Sequence, residues 1–141
     1  MIPGRLRVLS GFLVALALAA CTSTRSAGPA LAGRWMPVHA ELGGQEYPVE
    51  NFDGAFLVMT KDSYEFAGDQ GTYTVITTSP PATMYILGRE GPNAGRTIQA
   101  IYELEGEELT VCYQLGSGER PEAFESPEGS QVLLIHYRRA P

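Results

Sequence analysis

The side chains most able to do nucleophilic or metal chemistry in this sequence are those of two cysteines and two histidines. Cys112 could act as a nucleophile with a histidine as its base, because such a pair generates a reactive thiolate. No motif pairs them, and a lone cysteine in a strand usually behaves as a small buried hydrophobe. His39 and His136 stand far apart in the sequence, and a zinc site needs at least three suitably spaced ligands. We therefore expect no catalytic residue, no metal, no cofactor and no enzymatic activity.

Arg120 stands in the most distinctive polar motif of the chain, Glu119-Arg120-Pro121. A guanidinium can hold an anionic ligand at the mouth of a binding site through charge-assisted hydrogen bonds. It can also bond to carboxylates or backbone carbonyls of its own domain and so hold a loop in place. We favour the structural role and keep Arg120 as a ligand-binding candidate.

Cys21 follows a segment that is organised like an export signal. A short basic head precedes an apolar run over residues 8–20. The run is shorter than the roughly 20 apolar residues of a membrane-spanning helix, and it fits the core of a signal peptide. Its end, Leu18-Ala19-Ala20-Cys21, resembles the lipobox of bacterial lipoproteins. The resemblance implies that residues 1–20 are a cleaved signal peptide and that Cys21 becomes the lipidated first residue.

A lipid on Cys21 would make the membrane the first partner of this protein. One acyl chain anchors only marginally, and bacterial lipoproteins of this type carry three, palmitate being a typical one. Thr22 occupies the place where an aspartate favours inner-membrane retention in such lipoproteins. The resemblance therefore implies a cell-envelope protein on the outer membrane, facing the periplasm, in preference to the inner membrane. Residues 21–30 are small, polar and unpatterned, which indicates a flexible tether.

The charge balance of the chain argues against a nucleic-acid partner. Arg5 and Arg7 lie in the export segment, so the mature chain keeps 8 of the 10 basic residues against 16 acidic ones. A surface this acidic repels DNA and RNA. Lipidation of Cys21 leaves Cys112 without a disulfide partner, so we expect an apolar core to hold the fold, and we assume a monomer.

The organisation beyond the tether is that of strands and turns. Short runs rich in Val, Ile, Thr, Tyr and Phe alternate with turn signals every 8–12 residues, which is typical of an all-β sandwich or barrel. No stretch has helical periodicity long enough to predict a helix. We predict one all-β domain over residues 31–141, with strands near 33–42, 45–49, 54–60, 63–67, 71–78, 82–88, 96–104, 108–115 and 131–139.

The clearest hairpin lies between residues 97 and 115. If Leu104 faces Leu109 across the turn, the alternation of a strand puts two further pairs on the same apolar face. Ile101 and Cys112 then pair on the other face. The long connection over residues 116–130 contains Phe124, which is unfavourable in water, so we expect that segment to fold back onto the domain.

Gly33-Arg34-Trp35 resembles the Gly-x-Trp opening of lipocalins, in which the tryptophan plugs one end of the barrel and an arginine of the last strand lies over it. Arg138 and Arg139 stand at the right place in the sequence for that contact, which is worth about 0.5–2 kcal/mol. The resemblance implies an antiparallel up-and-down β-barrel of the lipocalin (calycin) type with about eight strands.

A longer pattern resembles a family of small, uncharacterised bacterial lipocalin-like domains. It covers residues 31–139, with mild departures at Glu105 and Glu107, where aspartates are common. The family has no established activity to carry over, so the resemblance bears on the fold. The matching pieces are Glu90-Gly91-Pro92, Gly95-Arg96-Thr97, Ile101 to Glu107, Leu109 to Cys112, Glu119-Arg120-Pro121 and Phe124.

These features predict a binding module rather than an enzyme. The barrel would hold a small apolar or amphipathic molecule, or offer its rim to another envelope protein, and a ligand cavity should measure at least about 300 Å³. The alternative is a structural or interaction protein with a filled barrel, since eight strands sit at the limit between the two. The ligand-binding candidates are Tyr73, Met84, Ile101, Cys112 and Arg120. The interior positions are expected at Val38, Ala40, Phe56, Val58, Tyr73, Val75, Met84, Ile86, Ile101, Cys112 and residues among Leu133 to Ile135.

Overall fold

The computed structural model describes residues 30–78 and 80–141. The predicted signal peptide, Cys21 and most of the predicted tether lie outside the described residues. Within them, no helix has the length and apolar character that a membrane crossing requires. The described chain forms nine strands and one short 3-10 helix at Val49–Phe52. The strands are β1 (Gly33–Leu42), β2 (Gln45–Glu46), β3 (Leu57–Met59), β4 (Ser63–Phe66), β5 (Asp69–Ile76), β6 (Ala82–Glu90), β7 (Thr97–Glu105), β8 (Glu108–Gln114) and β9 (Val132–Arg139).

Eight of the strands close into an antiparallel barrel. From β3 to β9 each strand pairs with the next along the chain, and β1 pairs with both β3 and β9. The two-residue strand β2 extends β1 at its end. Closure leaves none of the eight strands with a free hydrogen-bonding edge along its full length. The predicted all-β, up-and-down barrel is confirmed, and every predicted strand has an observed counterpart.

The register of the β7–β8 hairpin is the predicted one. Leu104 is opposite Leu109, and Ile101 is opposite Cys112. Gly106 occupies the tight turn with a φ of 60°, a left-handed conformation that glycine adopts without a Cβ clash. A hairpin of this kind is specified locally, because turn length and alternation together set the register.

A bulge in β1 changes which side chains face inward. Trp35 and Ala40 are both buried, although their spacing is odd, because the pairing with β9 shifts between Pro37 and His39. A bulge adds one residue to one strand of a pair and so reverses the alternation beyond it. Val38 lies at that shift and is 40% exposed. The inward position predicted for Val38 is therefore wrong.

The predicted interior register was also wrong in β3. Leu57 is paired with Trp35, and both side chains are buried. Val58, between the buried Leu57 and Met59, faces outward and is 38% exposed. A slip of one residue moves a whole strand face from core to solvent, and β3 is too short to show its alternation clearly in the sequence.

The apolar residues form two clusters, one inside the barrel and one outside it. The exterior cluster consists of Ile101, Cys112, Val132 and Leu134, with Phe124 packed against it. Ile101 and Cys112 are fully buried there, so the prediction that they face the interior is wrong. The interior cluster contains Leu31, Trp35, Ala40, Leu57, Met59, Tyr73, Met84, Ile86, Ile98, Ala100, Tyr102, Leu109, Val111, Ile135 and Tyr137.

The connection between β8 and β9 covers the exterior cluster. The Cys112 thiol donates to the Glu125 carbonyl at 3.3 Å. Ser126 is buried, its hydroxyl donating to the Val132 carbonyl at 2.7 Å and accepting from the Gly44 amide at 3.1 Å. The prediction that Phe124 folds back onto the barrel is confirmed. The loop thus seals an outer apolar face that alternation alone would leave in water.

Candidate binding site

Trp35 is buried at one end of the barrel, where it pairs with Arg139. Its side chain is fully buried, and its indole N–H donates to the Leu31 carbonyl at 2.9 Å. The Arg139 guanidinium lies over the indole ring, 4.2 Å from the ring centre. Nitrogen atoms of the same guanidinium donate to the carbonyls of Ala32 and Ala30, each at 3.1 Å. The contact expected from the lipocalin resemblance is present, with Arg139 as the partner.

Gly33 lies next to Arg139 at this end of the barrel, whereas Arg138 faces outward. Gly33 has a φ of 140°, and a Cβ there would lie 2.7 Å from Nη1 of Arg139. The glycine therefore leaves room for the guanidinium that covers Trp35. Arg138 points outward and reaches Glu108 only at 4.0 Å, with both side chains largely exposed. Alternation along β9 puts neighbouring arginines on opposite faces.

A cavity of about 170 Å³ lies in the barrel interior. This volume is smaller than the minimum of about 300 Å³ that the sequence analysis predicted for a ligand cavity. Tyr73 and Met84 line it, whereas Ile101, Cys112 and Arg120 do not. Most of the lining is apolar. The lining residues are Leu57, Met59, Tyr64, Phe66, Asp69, Tyr73, Met84, Ile86, Asn93, Ile98, Val111, Tyr113, Leu115, Leu133 and Ile135.

The polar lining residues mark the end of the cavity opposite Trp35. Asp69 begins β5 and Asn93 lies in the β6–β7 connection, at the end of the barrel away from the β7–β8 turn. The Asp69 carboxylate accepts hydrogen bonds from the Tyr64 hydroxyl at 3.0 Å, from the Asn93 side chain at 2.9 Å and from the Asn93 amide at 3.3 Å. Arg96 in turn donates to the Asn93 side-chain oxygen at 2.9 Å and to the Leu115 carbonyl. Asp69 and Asn93 therefore form a hydrogen-bonded polar rim at this end of the cavity.

Tyrosine hydroxyls supply the remaining polar groups near the cavity. Tyr113 and Tyr137 are hydrogen-bonded to each other, with their oxygens 2.9 Å apart. Tyr73 donates to the Thr60 carbonyl at 2.6 Å. Burial raises the pKa of Tyr73, Tyr113 and Tyr137, and burial followed by the hydrogen bond to Asp69 raises the pKa of Tyr64. These phenols therefore stay neutral at physiological pH and act as hydrogen-bonding groups.

Arg120 lies on the outer wall, away from the cavity. Its side chain is exposed, and Nη1 donates to the Tyr85 hydroxyl at 3.2 Å. The predicted bond to a carboxylate or backbone carbonyl is thus replaced by one to a hydroxyl. Arg120 forms no ion pair with a carboxylate in the part of the chain that the structure describes.

The histidines and Cys112 lie outside the cavity as well. His39 and His136 are cross-strand neighbours with ring centres 5.8 Å apart, and they bond to Glu41 and Thr110 respectively. Over residues 30–78 and 80–141, no group of three His, Cys, Asp or Glu residues could hold a metal ion. Burial raises the pKa of the Cys112 thiol to about 11. A thiol that is protonated at neutral pH is a poor nucleophile.

Comparison of the chain with protein families, with curated proteins and with solved structures gives no match. The site therefore has to be interpreted from its own geometry. The sequence analysis did not identify Asp69, Asn93 and Tyr113 as residues of the site. The signal for Tyr113 was available, since the hairpin register places it opposite Ala100 on the interior face. Asp69 and Asn93 are 24 positions apart, and no local pattern joins them.

Proposed function

We propose that the protein is a lipid-anchored cell-envelope protein whose lipocalin-like barrel binds a small apolar molecule. The observation that carries this proposal is the apolar cavity of about 170 Å³ inside the barrel. It ends in the polar rim of Asp69 and Asn93, at the end of the barrel opposite Trp35. An apolar hollow with a few placed polar groups at its entrance is the usual form of a small-molecule site.

The size of the cavity limits the ligand to one ring or a short chain. An apolar cavity of about 150 Å³ takes up benzene, whereas a long-chain fatty acid needs the larger volume of an ordinary ligand pocket. Burying roughly 200–250 Å² of an apolar probe at about 25 cal/mol per Å² corresponds to about 5–6 kcal/mol, or a Kd on the order of 0.1 mM. A long-chain fatty acid is therefore too large for this cavity.

The membrane part of the proposal rests on the sequence of residues 1–22. The signal-like segment and the lipobox support lipidation at Cys21, and Thr22 favours the outer membrane facing the periplasm. Cys21→Ser should abolish metabolic labelling of the protein with a fatty acid. Labelling that persists in this variant would disprove lipidation at Cys21. It would leave the proposal that the barrel binds a ligand unaffected.

Membership of the uncharacterised lipocalin-like family is proposed on the same footing. Its support is the joined order of motif pieces over residues 31–139, together with a closed barrel of the compatible kind. The contact of Trp35 with Arg139 matches the expected closure of such a barrel.

A second candidate function is an interaction protein of the envelope. The observation that favours it is a set of large apolar side chains exposed on the neighbouring strands β1 and β3. Met36, Val38 and Val58 are 42%, 40% and 38% exposed. An exposed apolar patch can mark a protein contact. This function requires no ligand in the barrel, so a binding experiment separates the two.

The experiment uses the full chain in lipid nanodiscs with the methionine methyl groups labelled for NMR. Met59 and Met84 line the cavity, whereas Met36 lies on the outer face, so the chain carries its own control. Adding 2-phenylpropene should shift the signals of Met59 and Met84 and leave that of Met36 in place. Empty nanodiscs measure the partition of the probe into lipid.

A pair of variants ties the shifts to the cavity. Ile98→Phe adds a ring to a lining position and should weaken the binding of 2-phenylpropene. Ile76→Phe makes the same change at an outward side chain that is 49% exposed, and it should leave binding unchanged. Equal shifts at all three methionines, or no shift at any concentration, would favour the interaction protein.

A further inference from the structure

We propose that the cavity binds a neutral, ring-sized molecule with one hydrogen-bond acceptor, such as a ketone or an ester, and that the Tyr113 hydroxyl donates to that acceptor. The proposal rests on the proposed function, because it specifies the ligand of the same cavity. Its basis is a hydroxyl proton at the cavity wall that has no acceptor among the described residues.

Tyr113 and Tyr137 form the hydroxyl pair from which this proton comes. Their side chains extend from the neighbouring strands β8 and β9 to the barrel interior, and their oxygens are 2.9 Å apart. Two hydroxyls have two protons to donate, but they share a single hydrogen bond. Neither oxygen bonds to another protein group within residues 30–78 and 80–141. One O–H donor of the pair therefore lacks a protein acceptor and is left for a ligand or a water to accept.

We assign the free proton to Tyr113, because it is the one tyrosine of this pair that lines the cavity. Tyr137 is 1% exposed and is not part of the cavity wall, whereas Tyr113 lines the cavity. Either hydroxyl can be the donor of the bond that the two tyrosines share. When Tyr137 donates, the proton of Tyr113 is not used within the pair. The remaining proton of Tyr113 can then point into the cavity.

The charges around the cavity select a neutral ligand. Asp69 is the one ionised side chain in the described wall of the cavity, and no Lys, Arg or His lines it. Its carboxylate already accepts from Tyr64 and twice from Asn93. An anionic ligand would meet this negative charge and a mostly apolar wall without a cationic side chain, where an unpaired charge is strongly disfavoured. A neutral acceptor needs only the O–H of Tyr113.

The test uses three probes of nearly the same shape with the same number of non-hydrogen atoms. Acetophenone has a neutral acceptor, 2-phenylpropene has a methylene group in its place, and benzoate has a charge. Their dissociation constants are measured on the full chain in nanodiscs from the Met59 and Met84 methyl shifts. The variants are Tyr113→Phe and Tyr137→Phe, each checked for folding by thermal unfolding and by the position of the Met36 signal.

Tyr113→Phe should weaken acetophenone binding about fivefold to tenfold, the value of one neutral hydrogen bond. It should change 2-phenylpropene binding by less than about twofold, so that the ratio of the two effects isolates the bond. Tyr137→Phe removes the partner and leaves the Tyr113 hydroxyl, so acetophenone should still bind. Benzoate should bind at least about tenfold more weakly than acetophenone.

Three results would overturn the proposal. If Tyr113→Phe weakens both neutral probes equally or neither of them, the hydroxyl makes no bond to the ligand, although the cavity still binds. If only Tyr137→Phe abolishes the preference, the donor has been assigned to the wrong tyrosine. If no probe shifts Met59 or Met84 in the unaltered protein, the proposed function fails together with this inference.

Discussion

The two apolar clusters of the barrel are built by the same strands and closed by different means. Strands β7, β8 and β9 place alternate side chains inside and outside, so each contributes to both clusters. The interior cluster is enclosed by the barrel itself and by Trp35, and it keeps a cavity. The exterior cluster is covered by the 116–130 loop through Phe124, Ser126 and the bond of Cys112 to Glu125.

The difference separates a cluster that only packs the wall and its loop from one that also encloses the cavity. The exterior cluster contains four buried side chains and one aromatic lid, so its contribution is to hold the wall and the loop together. The interior cluster holds the large buried side chains Trp35 and Tyr137 and also the space for a ligand. Changes outside should therefore alter stability alone, whereas changes inside can alter stability, binding or both.

The largest expected effect is at the closed end of the interior. Trp35→Ala should lower the free energy of unfolding by about 3–5 kcal/mol, because it removes a fully buried aromatic ring and leaves a void. Urea unfolding measures this, with Met36→Ala as the control at an outward neighbour, expected within about 0.5 kcal/mol. A Trp35→Ala loss as small as that of Met36→Ala would contradict the role of Trp35 as the plug.

Two adjacent arginines sharpen the comparison between inside and outside. Arg139→Ala removes the contact with the Trp35 ring and two hydrogen bonds to backbone carbonyls, and it should cost about 1–3 kcal/mol. Arg138→Ala removes an exposed side chain with one distant carboxylate and should cost less than about 0.5 kcal/mol. Equal losses in thermal or urea unfolding would show that position along the chain, rather than the facing side, determines the effect.

The exterior cluster should make the stability of the protein depend on pH through the Cys112 thiol. Burial raises the pKa of this thiol from 9.0 to about 11, so the folded state retains the proton that the unfolded state loses first. The stabilisation is complete below pH 9 and is lost as the pH rises through 11. Between pH 8 and 10.5 the unaltered protein should lose about 2 kcal/mol more stability than Cys112→Ala.

Urea unfolding at several pH values measures the difference between these two proteins. The tyrosines are common to both, so their titration cancels in the comparison. Parallel curves across this range would show that the thiol is exposed to solvent in the folded protein and that the exterior cluster is not sealed.

The smallest expected effect on stability is that of Arg120, which lies on the 116–130 loop that covers the exterior cluster. Its side chain is exposed and bonds only to the Tyr85 hydroxyl among the described residues, so Arg120→Ala should change stability by less than about 0.5 kcal/mol. Thermal unfolding of Arg120→Ala beside Tyr85→Phe measures both ends of that bond. A loss above about 1 kcal/mol would mean that Arg120, together with Phe124 and Ser126, holds the loop on the barrel.

Much of the fold could be predicted because it follows from local patterns. The turn at Gly106 and the alternation on either side of it were enough for the register of the β7–β8 hairpin. Local patterns were insufficient where a pairing irregularity intervenes. The bulge beside Val38 reverses which side chains of β1 face inward, and a bulge depends on the partner strand as much as on its own residues. The strand around Val58 is too short to show from the sequence which of its side chains face inward.

The candidate site was predicted only in part. Tyr73 and Met84 line the cavity because β5 and β6 follow regular alternation. Ile101 and Cys112 were expected to share that interior, but their apolar character reflects burial on the outer face. The alternation of side chains along a strand shows which residues share a face. When both faces are apolar, the alternation does not show which face points into the barrel.

The sequence by itself determined the strand order, the turns, the predicted export segment and the tryptophan that would plug the barrel, because each depends on a few adjacent residues. The tertiary structure alone decided the volume of the cavity and the groups at its ends. That volume is the difference between the space enclosed by eight strands and the side chains that fill it, so every strand contributes to it at once. The bonds of Asp69 to Asn93 and of Tyr113 to Tyr137 each join residues 24 positions apart. Such contacts exist only when the barrel closes, which is why the candidate site could not be found from the sequence alone.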